Sequence, residues 1–426
     1  MIRIILVRHG YTAWNVSGSP GQRFRGIIDL PLADIGLAQA RVTARRLAGW
    51  RLDAVYSSPL QRAATTAQIL AEPHGLAVQT VPGLGSMDYG DWAGLLRADV
   101  ARRWPDLYSK WRTDPFSVQI PRGESTVELR ERALGALREI LAKHTDGETI
   151  VIVSHQVVTK TLVCTLMELP DPAHWHIRQD LCNLTRFDHD AANGEFILVG
   201  LNDACHLEPT LPRIGGGGTR LIVVRHGQTA WNVGAGEERF RGRTDLPLDH
   251  VGLDQARAVA GRLKDESIAA LYASPLLRAR QTLAPLAEAL GLTVQPHDGL
   301  LDIDYGDFQG LTHSQAASTH ADAYARWRTR PSQVCFPGGE SLDDVQARLL
   351  AMMDELLAGH PGQIIVLVGH QIVNKVLSCT LLGFSPDRIW RIRQDTAGID
   401  LFQWANGAWN TLALNDICHL DSMPQA

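Results

Sequence analysis

The chain has 426 residues, of which 45% are hydrophobic and 20% are charged, the ordinary balance of a globular protein. This length is too great for one ordinary core and predicts two domains. The formal net charge is −5, and neither half carries the basic stripe of a nucleic-acid binder. We find no signal peptide and no apolar run long enough to span a bilayer. The sequence therefore predicts a cytoplasmic protein that binds neither nucleic acid nor membrane.

One twelve-residue pattern occurs twice in the chain. An apolar run that ends in Arg-His-Gly occupies residues 4–15 and returns at 221–232. The offset between His9 and His226 is 217 residues (226 − 9), and later segments recur at almost the same offset. A near-constant offset of this size predicts two whole domains in tandem rather than a short repeat.

The junction between the copies contains four consecutive glycines at 215–218. These glycines precede a strand and lack a following Lys-Ser/Thr, so they do not match a phosphate-binding loop. We interpret 213–218 as a flexible linker between domain 1, residues 1–212, and domain 2, residues 219–426. We expect the two domains to pack on each other, and the sequence leaves further oligomerisation open.

Apolar strands and amphipathic helices alternate in each copy, which predicts βαβ units and a mainly parallel sheet. The expected fold is therefore α/β, with two tandem three-layer αβα sandwich domains. In the first copy the predicted strands are 4–7, 54–56, 77–81, 149–153, 184–187 and 195–199. The predicted helices are 36–50, 62–71, 127–144 and 157–169. The stretch 95–120 lacks clear periodicity and is predicted to be less regular.

Three segments of the first copy place polar side chains directly after a predicted strand: Arg8-His9, Arg62 and His155. The carboxyl ends of parallel strands meet at one edge of a sheet, where ligands bind. Two arginines and two histidines there would suit a phosphoryl group, because a guanidinium matches phosphate oxygens bidentately. One histidine can then act as a nucleophile. The second copy repeats the set as Arg225, His226, Arg278 and His370. A single such residue would more simply be structural, but the recurrence of all four favours a site.

These motifs resemble those of the histidine phosphatase superfamily, in the bacterial small-domain branch of its phosphoglycerate-mutase-like group. The resemblance covers nearly the whole chain, once in each half. Its motifs are Val-Arg-His-Gly-x-Thr-x-Trp-Asn at 7–15 and 224–232, Ser-Pro-Leu-x-Arg-Ala at 58–63 and 274–279, Val-Ser-His at 153–155 and Val-Gly-His at 368–370.

The resemblance implies hydrolysis of a phosphomonoester through a phosphohistidine. His9 and His226 would be the nucleophiles, and His155 and His370 would be further catalytic residues. The implied phosphate-binding residues are Arg8, Thr12, Asn15, Arg62, Arg225, Thr229, Asn232 and Arg278. We expect neither a metal nor a cofactor, because fixed arginines supply the charge stabilisation.

The two copies differ from the family pattern at the general acid. The family usually places a glutamate four residues before the first glycine of its Gly-Asp-Trp-Glu-Gly segment. The first copy has Ser86 there, whereas the second has Asp302, which is shorter than glutamate but able to protonate a leaving oxygen. Asp88 lies nearby, but Asp304 matches it in the second copy, which favours a shared structural role. Loss of a general acid costs about 10²–10⁴-fold, so domain 2 is predicted to be the stronger catalyst.

Two alternatives stay open beside a phosphatase of a small phosphorylated metabolite. One is a mutase, although the stretch from the acid position to the second histidine is only 69 and 68 residues long (155 − 86 and 370 − 302). Mutases of the superfamily carry a longer insertion there. The other is that domain 1 is a degenerate phospholigand-binding or regulatory module. The stretch over the predicted pocket has Arg97, Arg102, Arg103 and Trp104 in the first copy but His313 and His320 in the second. A charged helix face exposed to solvent is the default explanation, and different substrate preferences are a further hypothesis.

Overall fold

The computed structural model describes residues 1–15, 23–208, 210–215, 217–232 and 238–421. These residues form two compact units, Met1–Glu208 and Pro209–Ala426, called unit 1 and unit 2 below. The division falls four residues before the predicted end of domain 1 (212 − 208). Leu211 and Ile214 pack against the core of unit 2, and the Gln403 side chain bonds the backbone N–H and C=O of Ile214 at 2.7 and 2.8 Å. The first residues of the predicted linker therefore belong to unit 2.

Unit 1 is built on six strands. They are β1 (Ile2–Arg8), β2 (Ala54–Ser57), β3 (Val78–Thr80), β4 (Thr149–Ser154), β5 (Leu184–Asp190) and β6 (Glu195–Asp203). Their spatial order is β3-β2-β4-β1-β5-β6. The first four of this order are parallel, and β5 and β6 are antiparallel to their neighbours. Because Arg8 of β1 lies opposite Ser154 of β4, His9 and His155 leave the sheet side by side.

Unit 1 has six helices in the described residues, and α1, α2, α5 and α6 pack on the two faces of this sheet. The six are α1 (Asp34–Leu47), α2 (Gln61–Ala71), α3 (Arg97–Arg103), α4 (Pro105–Thr113), α5 (Thr126–Leu141) and α6 (Gln156–Leu166). Leu47 of α1 and Leu70 of α2 share a core with Val7 and Val153 of the sheet. Alternate residues of a strand face opposite sides, so Ile4 and Leu6 face the side of α5 and α6, away from the core that contains Ile5 and Val7. The predicted αβα sandwich is confirmed.

Unit 2 repeats the same order of elements. Its strands are β7 (Arg220–Arg225), β8 (Ile268–Ala273), β9 (Val294–Pro296), β10 (Ile364–Gly369), β11 (Ile399–Ala405) and β12 (Ala408–Asp416). Its helices are α7 (His250–Leu263), α8 (Leu277–Leu290), α9 (His313–Thr319), α10 (Ala321–Thr329), α11 (Leu342–Gly359) and α12 (Gln371–Leu382). The strand order is β9-β8-β10-β7-β11-β12, with β7 and β10 parallel and Arg225 opposite Gly369.

The stretch predicted to be irregular, 95–120, contains the helices α3 and α4. These have 7 and 9 residues, which is too short for a helical period to stand out from the sequence. Pro105 separates them, because it suits the first turn of α4 but cannot continue α3. Trp111 of α4 is only 5% exposed, so packing rather than intrinsic propensity fixes these helices. In the described part of the chain, no helix has the length and apolar character to cross a membrane.

Candidate active site

His9 follows β1 directly and is almost fully buried. Its Nδ1 lies 2.7 Å from the carbonyl oxygen of Gly10. A carbonyl only accepts, so Nδ1 carries the proton and Nε2 keeps its lone pair. Burial, reinforced by His155 and the nearby arginines, holds the pKa of His9 well below its ordinary 6.5. The ring is therefore neutral at pH 7 and has the tautomer that a nucleophile at Nε2 requires.

Two arginines lie beside this ring with unused donors. Arg8 donates from Nη1 to Gln179 O at 2.7 Å, and Arg62 donates to Ile28 O and Gly26 O at 2.8 and 2.7 Å. The Nε of each is buried and has no partner among the described residues. Burial lowers the pKa of Arg8 to about 9 and that of Arg62 to about 10. Buried donors normally find acceptors, so this arrangement is suited to an oxyanion.

His155 completes the set in unit 1. It lies between the last residue of β4 and the first residue of α6, as the N-cap of that helix, and its ring centre lies 5.2 Å from that of His9. Nε2 bonds Ser58 Oγ at 2.8 Å, and Nδ1 is buried without a partner among the described residues. Burial and Arg62 lower the pKa of His155 well below 6.5. The structure thus brings together the four predicted residues of unit 1.

Unit 2 holds the same four groups. His226 Nδ1 donates to Gly227 O at 2.6 Å, and the rings of His226 and His370 lie 5.2 Å apart. Arg278 donates from Nε to His370 Nδ1 at 3.2 Å, which leaves His370 Nε2 as a buried N–H with no partner in the described part of the chain. Burial lowers the pKa of Arg225 to about 10, and its Nε is likewise unpartnered within the described residues.

Asp302 lies beside Arg278 and His370 in unit 2. Its Oδ2 accepts from Arg278 Nη2 at 3.2 Å and lies 3.7 Å from His370 Nδ1. Its side chain is 8% exposed, and burial raises its pKa above the ordinary 3.8 despite the neighbouring arginines. A raised pKa favours the protonated carboxyl that a general acid needs. Ser86 takes the corresponding place in unit 1 and borders its pocket.

The segment that carries the acid position is fixed by an arginine from a long helix. In unit 1, Arg132 donates to Gly83 O, Gly85 O and Ser86 O at 2.8–2.9 Å and pairs with Glu124. Arg348 of unit 2 pairs with Glu340 in the same way and donates to Gly299 O. The backbone at this position is therefore held by contacts that do not depend on which side chain stands there.

Asp88 has the structural role that its duplication suggested. Its Oδ1 accepts the Gly90 N–H at 2.9 Å, and Asp304 accepts the Gly306 N–H at 3.0 Å. Both carboxylates cap the turn that follows the acid position. Neither belongs to the residues that line the pockets described below.

Thr12 and Asn15 form a brace rather than the pocket lining. Thr12 donates to Asn15 Oδ1 from both its backbone N and its Oγ1, and Arg25 Nη1 donates to both side chains at 2.7 Å. Thr229 and Asn232 repeat the first two contacts. Phosphate binding by these threonines and asparagines stays a prediction.

Arg25 and its counterpart Arg241 line the two pockets and were missed by sequence reasoning. The available signal was the tripeptide Phe-Arg-Gly, which occurs at 24–26 and again at 240–242. The pocket of unit 1 is a cavity of about 170 Å³, and that of unit 2 has about 120 Å³. Aromatic rings form one wall in each unit. They are Phe24, Tyr89, Trp111 and Trp175 in unit 1 and Phe240, Tyr305, Trp327 and Trp390 in unit 2.

One group of metal-ligand residues lies outside these pockets. Ligand-type atoms of Asp203, Cys205 and His206 lie within 4.8 Å of one another. Asp203 is paired with Arg46 at 3.3 Å, and His206 Nε2 contacts Thr43 Oγ1 at 3.0 Å. Since these groups already have protein partners, we assign no metal there.

The sequence of the chain places it in a known family. The Histidine phosphatase superfamily (branch 1) matches residues 4–204 and again 221–417. Phosphoserine phosphatase 1 of Hydrogenobacter thermophilus is 31% identical over 207 residues, covering 49% of this chain and 95% of that protein. The 2-carboxy-D-arabinitol-1-phosphatase of Triticum aestivum is 24% identical over 430 residues, covering 95% and 83%. A protein of Yersinia pseudotuberculosis named probable phosphoglycerate mutase is 32% identical over 216 residues, covering 49% and 96%.

The chain belongs to the histidine phosphatase superfamily, with one match in each unit, and is a phosphatase.

Proposed function

We propose that the protein hydrolyses small phosphate monoesters without a metal, through a phosphohistidine at His9 or His226, and that unit 2 is the stronger catalyst. The observation that carries this proposal is the set of buried N–H donors around each nucleophile that have no partner among the residues the structure describes. In unit 2 these belong to Arg225 and His370. Such donors are costly when unpaired, and a phosphoryl oxygen would satisfy them.

The reaction follows from the tautomer and the donors. The Nε2 lone pair of His226 attacks phosphorus, an N–P bond forms, and the bond from phosphorus to the ester oxygen breaks. Asp302 gives its proton to the departing oxygen. The resulting carboxylate takes a proton from water, which attacks the phosphohistidine and releases inorganic phosphate. Arg225 and Arg278 stabilise the charge on the equatorial oxygens in both steps.

Unit 1 has the same nucleophile and clamp but lacks the acid. Ser86 does not give up a proton near neutral pH, so its site depends on leaving groups that depart as stable anions. Absence of an acid costs about 10²–10⁴-fold for alkyl esters. The same absence slows water attack on a phosphohistidine at His9, because no carboxylate takes the proton. Unit 1 is therefore expected to turn over more slowly and to hold its phosphoryl group for longer.

The substrate is expected to be a small metabolite. Two of the relatives are named for small phosphate esters, phosphoserine and carboxyarabinitol phosphate. The pockets, of about 170 and 120 Å³, are of a size for such molecules.

The test uses the full chain in the presence of a chelator. Release of phosphate from a panel of esters is measured for wild type, His9→Ala and His226→Ala, and ³²P is trapped on the protein by acid-free quenching. We expect His226→Ala to remove most turnover and His9→Ala to remove less. The reverse ranking would refute the proposed roles of Asp302 and Ser86. Isomerised product without released phosphate would indicate a mutase, and absence of label from both histidines would refute the mechanism.

A further inference from the structure

The pocket of unit 1 is lined by more positive charge than one phosphate needs. Arg8 and Arg62 balance the two charges of a phosphate dianion. Three more cationic side chains line the same cavity, namely Arg25, Arg97 and Lys160, with the exposed Arg23 at its edge. Among the described residues that line it, none is a carboxylate. Bound phosphate alone would therefore leave this cavity strongly positive.

Unit 2 provides the matched comparison. Its pocket is lined by Arg239, Arg241 and Arg328, but the carboxylates of Glu238 and Asp302 also line it, and Glu238 lies 3.4 Å from Arg241. The residue that matches Arg97 is His313 (313 − 97 = 216). Gln22 matches Glu238 by the same offset and lies outside the described residues. Lys375 matches Lys160 (375 − 160 = 215) and likewise lies over a tryptophan ring, that of Trp390. The two units therefore differ at Arg97 and in the carboxylates that line the pocket of unit 2.

The extra cations are held within the cavity rather than spread over the surface. Arg97 opens α3 and is half-buried, with no carboxylate partner among the described residues. Lys160 is 9% exposed, donates to His174 O at 3.2 Å and lies over the ring of Trp175. Burial lowers the pKa of Lys160 to about 8, and Arg8 and Arg97 lower it further by repulsion. Like charges held together at this depth are stabilised when an anion lies between them.

We infer that the pocket of unit 1 binds a phosphate ester that carries a second anionic group, a carboxylate or a further phosphate, and that Arg97 and Lys160 bind this second group. The inference rests on the proposed function, since it assumes that Arg8 and Arg62 hold the ester phosphate. The pocket of unit 2, where carboxylates offset arginine, favours esters without a second negative charge.

The experiment measures binding, so that it does not depend on turnover. The full chain is titrated calorimetrically with 3-phosphonopropionate and with its amide, which has the same shape but no carboxylate. A charge-assisted contact predicts that the carboxylate ligand binds about tenfold to a hundredfold more tightly. Arg97→Ala should lower this ratio, because only Lys160 then remains to bind the second group, and Arg97→Lys should lower it less. Arg102→Ala, an exposed residue of the same helix, should not change it.

The reciprocal variant His313→Arg should create the preference in unit 2. Thermal unfolding of each variant shows that it is folded. Equal affinities of the two ligands in wild type, or a preference that Arg97→Ala leaves unchanged, would overturn the inference. A preference that depends on Arg97 without any trapped phosphohistidine would leave the inference intact and refute the proposed function.

Discussion

Replacement of Asp302 by asparagine should separate esters according to their leaving group. Asparagine keeps the shape of the side chain and one oxygen that can accept from Ile303 N, as Asp302 Oδ1 does. An NH2 group replaces the Oδ2 that accepts from Arg278 Nη2, and the side chain has no acidic proton to give. We expect kcat/KM for an alkyl phosphate to fall about 10²–10⁴-fold, which corresponds to about 3–5 kcal/mol of barrier. For p-nitrophenyl phosphate, whose leaving group departs as a stable anion, the loss should be less than about tenfold.

The assay is done in a His9→Ala background, so that unit 1 contributes nothing. The parameter kcat/KM reports the first chemical step, in which the leaving group departs, and not the later attack by water. Asp304→Asn serves as the matched control, because Asp304 caps a turn two residues away and does not line the pocket. Equal losses for both esters, or an alkyl phosphatase activity within tenfold of the parent, would refute the role of Asp302.

Burial raises the pKa of Asp302, so alkyl-ester turnover should fall as pH rises through that pKa, and a pH profile of Asp302→Asn should lack this limb. Ser86→Asp should raise the alkyl phosphatase activity of unit 1 in a His226→Ala background, and no gain would show that more than the acid is missing. Arg241→Ala should lower kcat/KM by about 10²-fold if its guanidinium contacts the phosphoryl group, as single-turnover assays would reveal. Gly36→Ala would place a Cβ 2.1 Å from Tyr11 O and should lower the free energy of unfolding, measured in urea, by about 1–3 kcal/mol. Gly135→Ala is the control, because a Cβ there meets open space and should not lower the free energy of unfolding. Burial holds the pKa values of the four site histidines, His9, His155, His226 and His370, well below 6.5. Below about pH 6.5 the unfolded chain therefore binds protons that the folded chain does not, and the free energy of unfolding should fall from pH 7 to pH 5.

The central part of each site could be predicted because it depends on local pattern. Arg8 and His9 follow a buried parallel strand, and such strands deliver their next residues to one shared edge. His155 follows the neighbouring strand, so its position beside His9 needed only the sheet order. The αβα layers followed from the same alternation of strands and helices.

Other parts of the site could not be predicted because they depend on contacts distant in sequence. Arg132 fixes the acid segment from 46 residues away, and no local pattern indicates such a partner. Arg25 lies in a loop whose sequence has no periodicity. The direction of its side chain is set by hydrogen bonds to Thr12 and Asn15. Trp111 lies on a helix of only 9 residues, and its place in the pocket wall is set by packing.

Arg132 binds the backbone around residue 86, and this contact affects how the catalytic rates of the two units can diverge. The residues that bind the phosphate follow the ends of strands. The general acid position lies on a different segment, whose backbone is held by Arg132 and does not depend on the side chain at residue 86. A substitution at residue 86 alone can therefore change the turnover rate of one unit without altering its binding of the phosphate group. A duplicated chain of this kind can keep one rapid catalyst beside a slow partner that still captures the same chemical group.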